Sequence, residues 1–129
     1  MTDVEVFHTN SSSQVVRCIQ EVIKKNVLNF QDLDLVILGN NGDSRYDHFY
    51  HELQNGIFKD IQQLCYKHLV GDYNTVSGFA IWLGSNILKT GTPPGYMKDK
   101  TKSAKRPRNI LIYNHYLGEN HSVILLQAP

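Results

Sequence analysis

Leu33-Asp34-Leu35-Val36-Ile37-Leu38-Gly39-Asn40-Asn41-Gly42-Asp43 is the stretch on which the fold of this chain turns. The apolar residues from Leu35 to Leu38 do not alternate with polar ones, so the strand they form must be covered on both faces. The run stops at Gly39, and the polar, Gly-containing segment to Asp43 reads as a turn. Working outward, Ser44 is placed to cap a helix whose Tyr46, Phe49, Tyr50, Leu53 and Ile57 line one face. Upstream, Val4-Glu5-Val6-Phe7 has strand composition. Ser11 to Gln14 then has capping-box spacing into Val15, Val16, Ile19, Val22 and Ile23, which recur at helical intervals.

Downstream, Ile61 to Tyr66 is a shorter strand, followed by the loop Lys67-His68-Leu69-Val70-Gly71-Asp72-Tyr73-Asn74-Thr75. Val76, Phe79, Ala80, Leu83, Ile87 and Leu88 then form a helical stripe that Gly91, Pro93 and Pro94 end. Ile110 to Tyr113 and Ser122 to Leu126 are β-rich runs separated by an eight-residue polar loop, so they read as a closing antiparallel pair. The order is βαβαβαββ, an α/β domain with a mixed sheet. Its three successive βα units favour a parallel set with right-handed crossovers. Phe79-Ala80-Ile81-Trp82-Leu83 is apolar on every side, the pattern of a helix buried between layers, so the isolated chain is expected to self-associate through it.

At 129 residues with 41% hydrophobic content, residues 1–129 make one domain with a packed core. No run approaches the apolar length of a membrane span, and Met1-Thr2-Asp3 does not begin a signal peptide, so the sequence reads as cytoplasmic. Cys18 and Cys65 have no metal-ligand spacing and read as buried thiols in a reducing compartment. The net charge of +1 conceals a basic insert at residues 98–108. Lys98, Lys100, Lys102, Lys105, Arg106 and Arg108 stand there against Asp99, leaving 7 basic and 11 acidic residues elsewhere. The insert reads as a solvated loop, or as a docking patch for an acidic carrier protein or a phosphopantetheine phosphate. Without interleaved aromatics it does not read as a nucleic-acid site.

Three loops carry a resemblance. Leu33 to Asp43 resembles the I-D-Y-V-x-A-H-G-T-G-T segment of β-ketoacyl synthases, with Asp34, Val36 and Gly42 in register and Gly39 at the first catalytic His. Lys67 to Gly78 resembles their K-S-x-x-G-H-x-x-G-A loop, with Lys67 and Gly71 matched and Asp72 at the second His. Asn114-His115-Tyr116-Leu117-Gly118-Glu119-Asn120 resembles the closing F-G-F-G-G-T-N loop, keeping Gly118 and Asn120, with Tyr116 at the gating aromatic. The chain is thus similar to the C-terminal half of a ketosynthase of the thiolase superfamily, whose fold duplicates one βαβαβαββ unit. It is similar in particular to the divergent ketosynthase-like proteins of aryl-polyene and flexirubin-type pigment synthesis in Bacteroidetes.

The resemblance implies a substrate carried on the phosphopantetheine arm of an acyl carrier protein and no bound cofactor or metal. It also implies a dimer with itself or with a ketosynthase partner. The family's nucleophilic Cys belongs to the N-terminal half, and neither Cys18 nor Cys65 matches its motif. A carboxylate at Asp72 would repel the enolate that a neutral imidazole stabilises. The resemblance therefore implies a non-catalytic partner akin to a chain-length factor. The alternatives are an acyltransferase of altered chemistry, with Asp72, His68 or His115 recruited, and a small α/β interaction domain.

Other constellations are weaker. His48 and His51 share a helix face beside Asp47 and Glu52, a spacing open to metal binding that reads as an exposed polar face. His115 and His121 flank the last loop. An imidazole there can serve as a general base, but with no activated nucleophile beside them they read as parts of a polar loop. The Gly39 to Asp43 turn lacks both phosphate-loop spacings, and Asp43 would repel a phosphate.

Overall fold

β2 (Leu35–Leu38) is fully buried on both faces, as its unbroken apolar run requires, and the rest of the molecule is built around it. The computed structural model describes residues 3–67, 76–92 and 106–129. The other elements are β1 (Asp3–His8), α1 (Ser12–Lys25), α2 (His48–Asn55), β3 (Gln62–Cys65), α3 (Val76–Thr90), β4 (Asn109–Tyr116) and β5 (Asn120–Gln127). The order is the βαβαβαββ read from the sequence. The five strands form one mixed sheet in the order β1-β5-β4-β2-β3.

Side-chain alternation divides the core into two layers. Val36, Leu38, Leu111, Tyr113, Val123 and Leu125 face α1 and α2, meeting Val15, Ile19, Val22 and Ile23 from the first helix and Phe49, Tyr50 and Leu53 from the second. Leu35, Ile37, Ile110, Ile112, Ile124 and Leu126 face α3, meeting Ala80, Leu83 and Ile87. Burying each of these aliphatic side chains stabilises the fold by about 1.5–3 kcal/mol. Among the described residues no helix is long and apolar enough to cross a membrane.

The parallel set is smaller than three successive βα units imply. β2 pairs in parallel with β3 and β4, while β1 stands apart and pairs antiparallel with β5. Phe7 explains the preference, since on the β5 edge its ring stacks on His121 with centroids 5.1 Å apart. The final hairpin is also tighter than expected. β4 and β5 stay paired to Tyr116↔Asn120, so only Leu117, Gly118 and Glu119 turn the chain. Asn114, His115, Asn120 and His121 are therefore strand residues, not a polar loop.

Helix boundaries differ in detail. Ser44 lies in a turn and α2 begins after Asp47, whose side chain makes no cap. Ser11 sits at the N-cap of α1, but its hydroxyl bonds Ser13 Oγ at 2.8 Å and caps nothing. Cys18 and Cys65 are half-buried thiols outside any disulfide, less enclosed than the sequence implies.

α3 is covered by the sheet on one side only. Ala80, Leu83 and Ile87 are buried, whereas Trp82 is 59% exposed and lies against half-buried Phe79 with tilted rings 5.5 Å apart. Within one chain, the expectation of burial on every side is not met. We predict concentration-dependent self-association in analytical ultracentrifugation, abolished by Trp82→Glu. A strictly monomeric wild-type chain at high concentration would contradict it.

Candidate functional site

Because β1 and β5 are antiparallel and β5 and β4 are antiparallel, β1 to β4 all run the same way. Their C-terminal ends, with the β4–β5 hairpin, share one edge of the sheet, the edge at which open α/β sheets bind ligands. Gly39 and Asn40 leave β2 there, Tyr66 and Lys67 leave β3, and Asn114 to Asn120 complete the rim. Of the residues singled out in the sequence, Gly39, Lys67, His115 and Asn120 are brought to this edge. His68, Gly71 and Asp72 lie outside the described residues, as do Lys98 to Lys105.

At its centre is a hub built on the Asn114 side chain. Tyr50 Oη and Lys67 Nζ each lie 3.0 Å from Asn114 Oδ1. An ammonium can only donate, so this atom is the amide oxygen. The His115 backbone N–H donates to Tyr50 Oη at 3.2 Å, which leaves the phenol's own hydrogen for Asn114. Lys67 is only 6% exposed, and burial pushes the ionisation of the Tyr50 phenol far up, so the phenol remains a donor. The hub lies directly on β2. A Cβ added at Gly39 would collide with Asn114 Oδ1 and stand 3.0 Å from Tyr50 Oη.

Beside the hub, two histidines sit among aromatic rings. His121 is buried. Its Nε2 lies 2.7 Å from the Thr9 carbonyl and so carries the hydrogen, while Nδ1 accepts from the Tyr113 hydroxyl at 2.9 Å. His115 Nδ1 accepts the Gly118 N–H at 3.2 Å, which places its hydrogen on Nε2. The His115 ring stacks on Tyr50 at 4.7 Å and meets Phe49 at 5.4 Å and His121 at 5.8 Å.

Burial lowers the His115 pKa to about 4, helped by His121, Lys67 and His48. Burial also lowers the pKa of His121. Both rings are neutral at pH 7. His115 Nε2 is buried without a hydrogen bond. The Tyr46 carbonyl lies off hydrogen-bond geometry yet still favours the protonated ring.

The remaining candidates have structural work. His48 and His51 are exposed on α2 as expected, but Asp47 beside them is buried, with Oδ1 accepting nothing. Asp34 accepts the backbone N–H groups of Arg108 and Asn109 at 2.8 and 3.0 Å, tying β2 to the start of β4. Arg106, read in the basic patch, donates to the Leu88 and Lys89 carbonyls and closes the end of α3. Asn120 bonds His8 Nδ1 at 3.1 Å on the exposed rim. Among the described residues no group of three or more His, Cys, Asp or Glu side chains is placed to hold a metal ion.

Sequence reasoning missed Tyr50, hidden in an apolar helical stripe, and the role of Asn114, hidden in an assumed loop. The only available signal was the alternation of Tyr113, His115 and the apolar residues before them, which continues the strand period. Comparison with known protein families, curated proteins and solved structures finds no match.

Proposed function

We propose that this chain is the C-terminal, thiolase-like half of a divergent β-ketoacyl-acyl-carrier-protein synthase-like protein, and that it serves as a non-catalytic partner in fatty-acid or polyketide-type synthesis of the aryl-polyene kind. The observation that carries the reading is the closure at Gly39. Gly39, Lys67 and Asn114 to Asn120, each from one of the three stretches that carry the resemblance, share one sheet edge. At the first His position the space is filled by the Asn114 amide, which accepts from Lys67 and Tyr50. A side chain at Gly39 must displace the Asn114 amide, so an imidazole from β2 comes only at the expense of the Lys67 and Tyr50 bonds. What remains is a scaffold that shapes the acyl site of an active ketosynthase partner fed by an acyl carrier protein.

A second reading, an acyltransferase of altered chemistry, is favoured by one observation. His115 is held neutral and keeps an Nε2 hydrogen with no partner, which is the donor an enolate needs. One experiment separates the two readings. Incubated with malonyl and acyl carrier proteins, the chain is expected to give no β-ketoacyl product above background. Co-expressed with an active ketosynthase, it is expected to change the product chain length. Turnover by the chain alone, lost in His115→Phe, would favour the second reading and overturn the first.

A further inference from the structure

We infer that the turn between β4 and β5, Leu117 to Glu119, is an acid-released flap, pinned through Gly118 to the neutral His115 ring that stacks on α2 and freed when that ring takes up a proton. The inference rests on hydrogen bonds within the chain and not on acyl chemistry, so it stands or falls separately from the proposed function.

The turn is built under tension. Leu117 and Gly118 have φ of 53° and 67°, and the left-handed conformation is unfavourable for a leucine. Gly118 lies so close to α2 and the turn before it that a Cβ would meet Tyr46 Cδ1 at 2.7 Å and Phe49 Cε2 at 3.0 Å. Its N–H is tied to His115 Nδ1, and the neighbouring Glu119 carbonyl accepts from the Thr9 N–H at 2.9 Å. Tyr116 and Leu117, at the tip, are 62% and 46% exposed. Tyr116 and Leu117 thus add little packing, and the turn is held by the His115 tie together with the contact of Gly118 on Tyr46 and Phe49 and the Thr9 bond.

That tie exists only while Nδ1 has a lone pair. The ring's hydrogen is already on Nε2, so a second proton must go to Nδ1, where it confronts the Gly118 N–H donor to donor. The surrounding groups are mixed. His121 from β5, His48 from α2 and Lys67 at the end of β3 oppose a positive ring, while Asp43 and the Tyr46 carbonyl from the turn before α2 favour one. Tyr50 and Tyr113 stay neutral, their ionisation pushed up by burial. His121 faces His8 and the Thr9 and Gly118 carbonyls, and it can keep its Thr9 bond in either state.

Closed, His115 protonates only near pH 4, whereas a solvated ring does so near 6.5. The released form therefore binds more protons below pH 6.5, and acid favours release. Between pH 7.5 and 4.5, His115 alone raises the released-to-closed ratio roughly seventy-fold. Release uncovers Tyr46 and Phe49 beside Tyr116 and Leu117, giving the edge an apolar patch that is hidden at neutral pH.

The test is amide hydrogen exchange by NMR on the full chain, corrected for intrinsic rates, together with the ring titration of His115. The expected result is that Gly118 protection falls about seventy-fold from pH 7.5 to 4.5 and follows the His115 titration, while Ile112 and Ile124 stay protected. His115→Phe keeps an aromatic ring and should leave Gly118 weakly protected at every pH. A flat Gly118 profile in the wild type overturns the inference. So does simultaneous loss of Ile112 protection, or a pH dependence that survives in His115→Phe. The wild-type titration decides the matter even where the variant does not fold.

Discussion

Gly39→His is expected to destabilise the protein by about 3–5 kcal/mol, enough to unfold much of it at 37 °C if its total stability lies in the usual range. The Cβ alone would press on the Asn114 amide, and an imidazole would drive Asn114 away from both Lys67 and Tyr50. Gly39→Ala should cost less, about 1–3 kcal/mol, because one methyl group can be met by a partial shift of the amide. Urea unfolding with equal m-values would measure both. A Gly39→His variant as stable as wild type would mean that the edge has room for a catalytic histidine, and the partner reading would lose its principal support. The same geometry predicts that restoring Asp72→His alone will not recover malonyl decarboxylation, since residues of one catalytic unit act together.

The second large effect concerns the hub acceptor. Asn114→Leu removes the oxygen shared by a buried ammonium and a buried phenol, and it should cost about 2–4 kcal/mol. Asn114→Asp retains an acceptor and should cost less. Adding Lys67→Met to Asn114→Leu should recover part of the loss, because exchanging both partners for apolar groups removes the desolvation penalty that exchanging one leaves behind. If the double variant loses the sum of the two single effects, Lys67 and Asn114 are not coupled and the hub is not the unit described here.

Much of the architecture was legible because it is local. The Leu35 to Leu38 run, the Val15-Ile19-Val22-Ile23 stripe and the Leu83 to Ile87 spacing each record which faces are covered. What escaped depends on partners distant in sequence. Asn114, His115, Asn120 and His121 have the composition of a loop. Lys67 and Tyr50 satisfy Asn114, the aromatic rings of α2 and the Thr9 carbonyl accommodate His115 and His121, and Asn120 stays exposed beside His8. Asp47 was assigned to an exposed face with His48 and His51, but the chain enters α2 one turn later than Ser44 implies, and that rotates the carboxylate inward. The hub joins residues from β2, α2, the end of β3 and β4, so no local pattern announces it. Gly39, Lys67 and Asn120, on which the resemblance was read, share one edge of the sheet. The resemblance gave no sign that the space beside Gly39 was filled.

The position of β1 has a consequence for how the protein is made. β1 touches the sheet only through β5, and its last residue is 112 positions away from its partner, His8 beside Asn120. Such a closure carries the loop entropy of nearly the whole chain and comes late in folding. During synthesis the first strand must wait on the order of ten seconds for its only neighbour to be translated. Throughout that interval Val4, Val6 and Phe7 lack the strand they pair with in the fold. Until β5 arrives, β1 is open to capture by a chaperone or by another copy of itself.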